Sequence, residues 1–364
     1  MEFSSEDRRF MARALELAQR GFYTAAPNPR VGCVVVRGAA VVGEGWHEKA
    51  GGPHAEIAAL AAAGSRAQGA IVYVSLEPCA HHGRTPPCVD ALIAAKVTRV
   101  VAAMRDPNPL VAGQGLVALQ NAGIAVQTGL LEDEARELNI GFVTRMTRGR
   151  PWVRMKIAAS LDGKTALLNG KSRWLTGAAA RRDGHAWRAR ACAVLTGIGT
   201  VRDDDPQLTV REVETPRQPL RVVVDSRLET PPEAKVLAGG GTLVVAAARD
   251  DARMRALRDK GAEIVVLPNV AGRVELGELL RELARREVNE VHVEAGYRLN
   301  GALLRAGLVD ELVVYLAPLL LGDAARGMFD LPELQDLDGC RELKIGDLRM
   351  IGDDIRIIAR LGNV

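Results

Sequence analysis

The chain has 364 residues, of which 48% are hydrophobic and 26% charged, and its formal net charge is +3. This length predicts two domains, each long enough to bury its own core. The near balance of 48 basic and 45 acidic residues argues against a nucleic-acid partner and against a membrane-surface protein. No stretch approaches the roughly 18 apolar residues of a membrane span. The start lacks the apolar core of a secretion signal, and five scattered cysteines suit a reducing compartment, so a cytoplasmic location is expected.

The first part of the chain alternates helix and strand patterns. Ser4 and Asp7 have the spacing of a capping box ahead of a helical pattern that Gly21 can end. Ala- and Leu-rich runs that open at His54, at Cys88 and near Leu116 predict three more helices. This alternation is typical of a layered α/β domain. The predicted strands are Gly32–Val36, Val41–Gly43, Ile71–Val74, Arg99–Ala102 and Ile124–Val126.

A basic segment with glycine and proline, Arg145–Pro151, lacks apolar periodicity and predicts a boundary between domains 1–146 and 151–364. The patterns that resume after it predict a second α/β domain. Its apolar stretch Leu312–Leu321 would allow a homo-oligomer, a dimer or tetramer, to form through this domain. The predicted strands are Trp152–Ile157, Cys192–Leu195, Leu220–Val224, Thr242–Ala246, Glu263–Leu267, Glu290–Val293 and Glu311–Ala317. The predicted helices are Ala178–Ala189, Arg253–Lys260, Leu276–Arg285 and Leu299–Arg305.

A metal site is the strongest prediction from residue chemistry. His54, Cys79 and Cys88 supply the imidazole and thiolate ligands that zinc prefers. His54 and Cys88 each begin a predicted helix, where partial positive charge favours a thiolate. Three protein ligands leave a fourth position for water, whose pKa zinc lowers to about 7. Glu56, two residues after His54, is placed to move a proton from that water to a leaving amine.

Two other functions compete with a small-molecule deaminase. The His-x-Glu and Cys pattern is typical of zinc deaminases, and a deaminase of nucleic-acid bases, such as tRNA, would share it, although such an enzyme would favour a basic stripe. A non-catalytic protein with structural zinc would need a fourth ligand, for which His81 and His82 are candidates. Zinc deaminases usually have two residues between the cysteines, whereas eight separate Cys79 from Cys88.

The segment LEPCAHHGRTPPC at 76–88 accounts for this spacing. It resembles the bifunctional deaminase–reductase family of riboflavin biosynthesis, in which a loop of this length separates two cysteine ligands. The resemblance covers essentially the whole chain. It continues through PNPRVG at 27–32, GGPHAE at 51–56, DPNP at 106–109, KIAASLDG at 156–163, DDDP at 203–206 and VEAG at 293–296.

The resemblance implies a cytidine-deaminase-like α/β/α domain followed by a dihydrofolate-reductase-like α/β domain. It implies that the first domain uses Zn²⁺ to remove the 2-amino group of 2,5-diamino-6-(5-phosphoribosylamino)pyrimidin-4-one. The second domain would then reduce the ribosyl side chain with NADPH, which gives 5-amino-6-(5-phosphoribitylamino)uracil. The expected partner is therefore a small phosphorylated pyrimidine.

The same resemblance implies roles for individual residues. His54, Cys79 and Cys88 match the zinc ligands, and Glu56 matches the proton shuttle. Asn28, His47 and Arg84 match positions that line the deaminase substrate pocket, and Arg84 stands where the family often has lysine. The substrate-side positions of the second domain are Lys156, Ser172, Arg188, Leu208, Arg211 and Glu294. The cofactor-side positions are Ala158, Trp174, Thr200, Asp204, Ser226, Gly296, Tyr297, Arg298, Leu299, Asn300, Gly301 and Ala302.

Without the resemblance, residue chemistry gives little evidence for the function of the second domain. Gly197–Thr200 follows a predicted strand, as a phosphate-binding turn would, but it lacks the third glycine of the dinucleotide fingerprint. Arg188 and Arg211 are candidates for a phosphate clamp. Lys156 is a candidate to bind or polarise the opened sugar, since the cofactor itself carries the hydride chemistry. No second metal is expected at the acidic run Asp203–Asp205.

Overall fold

The structure is a computed structural model that describes residues 2–80, 86–109, 111–172 and 174–362. It divides into two compact units, Met1–Gly149 and Arg150–Val364, and each unit has its own sheet and its own buried core. Within the described ranges, no helix combines the length and the apolarity needed to span a membrane.

The first unit is built on a five-stranded sheet in the order β2-β1-β3-β4-β5. Strand β1 is antiparallel to both of its neighbours, whereas β3, β4 and β5 are mutually parallel. The carboxyl ends of β3 and β4 therefore lie at one edge of the sheet. The strands are β1 Gly32–Arg37, β2 Ala40–Trp46, β3 Ile71–Val74, β4 Arg99–Ala102 and β5 Ala125–Thr128.

Helices cover both faces of this sheet. One buried cluster joins α2, α3 and α4 to inward-pointing strand residues such as Val35 and Val72, and the other joins α1 and α5 to the alternate residues such as Val34 and Tyr73. This is the α/β/α layering that the sequence predicts. The helices are α1 Ser5–Gln19, α2 Ala55–Ala63, α3 Cys88–Ala94, α4 Gln114–Asn121, α5 Glu132–Leu138 and α6 Ile140–Arg148.

Glycines let α2 pack closely against β2. A Cβ atom on Gly45 would lie 2.5 Å from the Ala59 nitrogen and 2.6 Å from the Ala55 oxygen, and one on Gly43 would lie 2.2 Å from the Ala59 oxygen. The buried face of α2 consists largely of alanines, so helix and strand backbones nearly touch. This close packing fixes the start of α2, which follows His54 and contains Glu56.

The second unit is built on a nine-stranded sheet in the order β11-β10-β9-β8-β12-β6-β13-β16-β15. The strands from β11 to β13 are parallel, and β16 and β15 are antiparallel additions at one edge. A separate ribbon pairs β7 with β14. The strands are β6 Trp152–Ser160, β7 Lys164–Ala166, β8 Ala193–Gly197, β9 Leu220–Val224, β10 Thr242–Ala246, β11 Ala262–Val266, β12 Glu290–Val293, β13 Glu311–Ala317, β14 Arg326–Gly327, β15 Leu343–Ile351 and β16 Asp354–Leu361.

Among the described residues, five α-helices accompany this sheet, and apolar clusters lie on its two faces. Most connections between parallel strands run through a helix, as crossover connections require. The helices are α7 Ala178–Arg190, α8 Ile198–Asp204, α9 Asp251–Arg258, α10 Leu276–Arg285 and α11 Tyr297–Arg305.

The structure refines three sequence-based expectations. The segment Arg145–Pro151, which lacks apolar periodicity, is helical in its first half, because α6 continues to Arg148 and ends at Gly149, whose φ of 65° is left-handed. Gly197–Thr200 follows a strand as expected, and it leads directly from the end of β8 into the start of α8. The stretch Leu312–Leu321 is apolar for two different reasons: β13, up to Ala317, lies between β6 and β16 and is largely buried, whereas Leu319 and Leu320 are exposed.

Candidate functional site

Three side chains from separate parts of the first unit meet beside α2. His54 immediately precedes α2, Cys79 follows β3, and Cys88 begins α3. The Nδ1 atom of His54 lies 3.1 Å from the Sγ atom of Cys88 and 3.5 Å from the Sγ atom of Cys79. The possible ligand atoms of all three residues lie within 4.8 Å of one another. The structure thus brings together the three residues that the sequence nominates as metal ligands.

The donor set and its spacing fit zinc. Tetrahedral zinc, with Zn–S bonds of about 2.3 Å and Zn–N bonds of about 2.1 Å, places neighbouring N and S ligands about 3.6 Å apart. The backbone N–H of Cys88 donates to the Cys79 sulfur at 3.3 Å. Hydrogen bonds from Cys88 and from His54 lower the pKa of the Cys79 thiol to about 4. A thiolate, the form that binds metal, is therefore favoured here at neutral pH.

Glu56 lies in the first turn of α2 and is only 4% exposed. The pKa of its carboxyl group is raised to about 7, chiefly by burial and also by the nearby Cys79, while its own backbone amide and His54 act in the opposite direction. A carboxyl group with a pKa near neutrality can both accept and donate a proton during one turnover. Glu56 can therefore serve as the proton-transfer group next to the three ligands.

His47 and Asn28 form a hydrogen-bonded pair beside the metal ligands. The Nδ1 atom of His47 donates to the Pro53 carbonyl at 2.9 Å, since a carbonyl can only accept. The Nε2 atom must then accept from the Asn28 amide at 3.0 Å. Burial lowers the pKa of His47, and its ring meets that of His54 edge-on at 5.5 Å. This arrangement presents a neutral imidazole of fixed tautomer to the site.

Three residues named from the sequence lie beyond what the structure describes. Arg84, expected in the deaminase substrate pocket, falls in the segment 81–85, outside the described residues. His81 and His82, the candidates for a fourth structural ligand, fall in the same segment.

In the second unit, Glu294 is the centre of a charged cluster. It follows β12, and its carboxylate accepts hydrogen bonds from the Nε and Nη2 atoms of Arg188 on α7. Although burial opposes ionisation, the charges of Arg188 and Lys156 hold the pKa of Glu294 well below its usual range. Burial in turn lowers the pKa of Lys156, an effect that the neighbouring Glu294 partly offsets. Lys156, Arg188 and Glu294 therefore act as one electrostatic group.

The other substrate-side positions lie around this cluster. A third donor of Arg188 binds the Thr209 carbonyl at 3.1 Å, and the exposed Arg211 binds the Thr209 hydroxyl at 2.9 Å. Leu208, which precedes Thr209, is buried with a φ of 55°. Arg188 is thus committed to Glu294 and Thr209, while Arg211 is more open to an anion. Ser172 is half-buried in the connection between β7 and α7.

Most cofactor-side positions lie at the carboxyl ends of parallel strands. Thr200 lies in α8, which directly follows β8. Gly296 is the N-cap of α11 and comes three residues after Val293, the last residue of β12. The two are close, because a Cβ atom on Gly296 would lie 3.9 Å from the Thr200 hydroxyl. Crevices at this edge of a parallel sheet commonly bind nucleotides. The positions Tyr297–Ala302 form the first turns of α11.

The remaining cofactor-side positions are more dispersed. Ala158 is half-buried in β6, and Asp204 ends α8. Ser226 follows β9, and its hydroxyl accepts a hydrogen bond from the Val274 amide at 3.2 Å. Trp174 is 71% exposed, with the Arg181 guanidinium 4.8 Å above its ring. This indole ring therefore lies at the surface and makes a cation–π contact with Arg181.

Sequence reasoning missed two polar groups near these sites. Glu77 is 4% exposed and accepts three backbone hydrogen bonds from residues 106–115. His292, between Glu290 and Glu294 on β12, is completely buried. For Glu77, its position directly before Pro78-Cys79 was a sign of a role near the site, but its partners are distant backbone amides that no side-chain pattern reveals. For His292, its alternation with Glu290 and Glu294 was the corresponding sign.

Two family models match the chain. Residues 4–104 match the cytidine and deoxycytidylate deaminase zinc-binding region. Residues 151–357 match the RibD C-terminal domain. The two matches confirm the order of domain types expected from the sequence.

Relatives match the chain over nearly its whole length. The riboflavin biosynthesis protein RibD of Escherichia coli K12 is 48% identical over 362 residues, which is 96% of this chain and 98% of the relative. RibD of Haemophilus influenzae is 48% identical over 371 residues, which is 98% of each chain.

Solved structures agree in fold. RibD of Acinetobacter baumannii superposes with a TM-score of 0.92 at 45% identity and covers 98% of this chain and 99% of its own. A Thermotoga maritima protein described as a diaminohydroxyphosphoribosylaminopyrimidine deaminase/5-amino-6-(5-phosphoribosylamino)uracil reductase superposes with a TM-score of 0.87 at 33% identity, with coverage of 98% and 99%. The chain therefore belongs to the RibD family of riboflavin biosynthesis, whose members join a zinc-dependent deaminase to an NADPH-dependent reductase.

Proposed function

We propose that this chain deaminates 2,5-diamino-6-(5-phosphoribosylamino)pyrimidin-4-one and then reduces the product to 5-amino-6-(5-phosphoribitylamino)uracil. Family membership supports the two reaction types, and the Thermotoga maritima relative bears the corresponding substrate names. The observation that carries the deaminase half is the meeting of His54, Cys79 and Cys88 beside a buried carboxyl group, Glu56. We assign deamination to residues 1–146 and reduction to residues 151–364.

In the deaminase unit, His54, Cys79 and Cys88 hold the zinc ion, which supplies a water of lowered pKa when it is bound. Glu56 accepts a proton on the water side and returns one to the leaving amine, a role that its raised pKa favours. Asn28 and His47 bind the pyrimidine, because they present a fixed amide and a neutral imidazole next to His54. Arg84 binds the phosphate end of the substrate.

In the reductase unit, NADPH supplies the hydride. Lys156 and Glu294 bind the ribosyl chain, since they are the half-buried charged pair next to the nucleotide-binding edge of the sheet. Arg188 orients Glu294, and Arg211 is the residue open to the substrate phosphate. Ser172 and Leu208 complete the substrate side, and the cofactor contacts Ala158, Trp174, Thr200, Asp204, Ser226 and the segment 296–302.

A coupled assay with reciprocal variants tests this assignment. The wild-type chain, supplied with zinc and NADPH, should release ammonia from the diaminopyrimidine ribotide and then oxidise NADPH. Glu56→Gln should slow ammonia release by about 10²- to 10⁴-fold, the usual value of a general acid–base group, yet reduce the deaminated intermediate normally. Lys156→Met should show the opposite pattern.

Two results would contradict the proposal. If either folded variant lost both activities, deamination and reduction would not be carried out by separate units, and the assignment would be wrong. Ammonia release from tRNA, with none from the pyrimidine, would favour the base deaminase. The zinc content of Glu56→Gln serves as the control. A value equal to that of the wild type would show that Glu56 is not a zinc ligand.

We also propose that the chain forms a homo-oligomer through β15 and acts in the cytoplasm without a nucleic-acid partner. Strand β15 is an edge strand, and four apolar side chains on one of its faces are 47% to 62% exposed: Leu343, Ile345, Leu348 and Met350. An edge of this kind invites pairing with a second copy. A cytoplasmic location fits the need for reduced thiols at Cys79 and Cys88.

A further inference from the structure

The carboxylate of Glu77, two residues before Cys79, connects the segment after β3 to the segment after β4. Its Oε2 atom accepts from the Asp106 amide at 3.1 Å and from the Gly113 amide at 2.9 Å, and its Oε1 atom accepts from the Gly115 amide at 3.0 Å. Asp106 and Gly113 lie in the connection between β4 and α4, here called the β4–α4 loop, of which residues 103–109 and 111–113 are described. Gly115 lies in the first turn of α4. One buried side chain therefore binds this loop at Asp106 and again where α4 begins.

Backbone packing reinforces the connection. A Cβ atom on Gly115 would lie 1.9 Å from the Pro78 carbonyl oxygen, so the start of α4 lies directly against the residue that precedes Cys79. Gly113 has a φ of 82°, which glycine adopts without strain. The loop and the turn that carries Cys79 also follow neighbouring parallel strands, so both lie at the same edge of the sheet.

Cys79 itself has supports that do not depend on Glu77. The Cys88 amide donates to the Cys79 sulfur at 3.3 Å, and the Val89 amide donates to the Cys79 carbonyl at 3.2 Å. Loss of the Glu77 charge would therefore release the β4–α4 loop while leaving the metal ligand in place.

We propose that Glu77 is a positioning residue for deamination, because it holds the β4–α4 loop against the Cys79 turn as a fixed wall of the substrate pocket. The inference rests on the proposed deaminase site. A carboxylate suits this role because it can accept several charge-assisted hydrogen bonds at once. An amide of the same shape has one acceptor oxygen, and its NH₂ group would face a backbone donor.

Glu77→Gln tests the proposal in the full-length zinc-loaded protein. We expect the wild-type zinc content and an unchanged reductase rate. Deaminase kcat/KM should fall by about 10- to 100-fold, the usual effect of removing a group that orients the surroundings of a metal site, and most of the loss should appear as a raised KM. Zinc analysis and steady-state kinetics on the diaminopyrimidine ribotide measure these quantities.

Asp7→Asn is the matched control. Asp7 is also a buried carboxylate of the first unit, at 5% exposure, and accepts from the Tyr73 hydroxyl and from Arg99. Its loss should lower stability but leave the deaminase KM unchanged. An equal rise of KM in Asp7→Asn would show that the effect of Glu77 is one of general stability, and would overturn the proposal.

Gly113→Ala provides a second variant that keeps the carboxylate. No atom lies within 4 Å of its new Cβ, but the positive φ is strained for alanine, so the loop alone is disturbed. If Glu77→Gln does not fold, Gly113→Ala tests the proposal in its place. A raised deaminase KM with zinc retained supports the proposal, and an unchanged KM overturns it.

Two further outcomes also overturn the proposal. One is an unchanged KM for deamination in a folded Glu77→Gln protein, measured while the wild-type protein deaminates the ribotide. The other is loss of zinc from that folded protein, because Glu77 would then act on Cys79 and not on the loop. A wild-type chain that does not deaminate the ribotide contradicts the proposed function itself, so the two failures are distinguishable.

Discussion

His292 shows how the fold can keep an ionisable side chain neutral. It is completely buried in β12, and neither ring nitrogen has a hydrogen-bond partner among the described residues. Burial lowers its pKa to about 3, and although Glu294 opposes this shift, the positive charges of Arg154, Arg188 and Lys156 add to it. Its Nε2 atom lies 3.5 Å from the Glu294 carboxylate, which does not compensate for burial of the charged ring, so His292 stays neutral at pH 7.

We predict that the second unit loses stability as pH falls from about 6.5, where the unfolded histidine begins to bind a proton. Between this pH and about 3, the unfolded state binds more protons than the folded state, so the free energy of unfolding falls by up to about 1.4 kcal/mol per pH unit for this residue. His292→Phe should flatten this slope and, at pH 7, cost less than about 1.5 kcal/mol.

Urea unfolding at pH 7 and pH 5, followed by tryptophan fluorescence, measures the effect. Three of the four tryptophans, Trp152, Trp174 and Trp187, lie in the second unit, so the signal reports chiefly on it. An identical pH dependence in wild type and His292→Phe would contradict the prediction.

At the same scale, the meeting of His54, Cys79 and Cys88 could be predicted from the sequence, but the contacts that support them could not. A histidine and two cysteines that each stand at a helix start or after a strand suggest metal binding by their residue types alone. Glu77, in contrast, binds only backbone amides of residues 29 to 38 positions away, and no residue type marks such partners. Arg188 was predicted as a phosphate clamp because an isolated arginine suggests an anion, whereas its ion pair with Glu294 depends on how α7 packs on the sheet.

At the scale of elements, buried strands were the most predictable part of the fold. Leu220–Val224, for example, is apolar apart from Arg221, because both faces of a parallel strand are covered. The hairpin of β15 and β16 was missed, although its alternating pattern and the Gly352-Asp353 turn are hairpin signals.

The exposed face of β15 leads to a prediction about assembly. We expect wild type to have a mass that is a multiple of its 39.0 kDa chain, and Leu348→Arg to shift it toward the monomer, because a charge at the centre of an apolar contact lacks a partner. Val270→Arg is the control, since this apolar side chain is fully exposed outside β15. Light scattering coupled to size exclusion measures the masses. A monomeric wild type, or an assembled Leu348→Arg protein, would refute the role of β15.

At the scale of the whole molecule, each unit has what an independent domain needs. The first unit has two apolar clusters on either side of its own sheet, and the second has separate clusters around a nine-stranded sheet. The division between them is also locally well defined. Gly149 ends α6, and the guanidinium of Arg150 pairs with both carboxylate oxygens of Asp310 at 2.7 Å, so Arg150 belongs to the second unit.

We therefore expect a chain cut between Gly149 and Arg150 to give two working fragments. Residues 1–149 should bind zinc and release ammonia from the ribotide, because the ligands, Glu56 and Glu77 all lie within one core. Residues 150–364 should oxidise NADPH on the deaminated intermediate, and the fragments mixed together should perform both steps. Adding the first fragment to full-length Glu56→Gln should restore ammonia release, which serves as a check on the activity of that fragment. If the second fragment folds but does not reduce the intermediate while the intact chain does, its active site requires residues before Arg150, and the two units are not functionally independent.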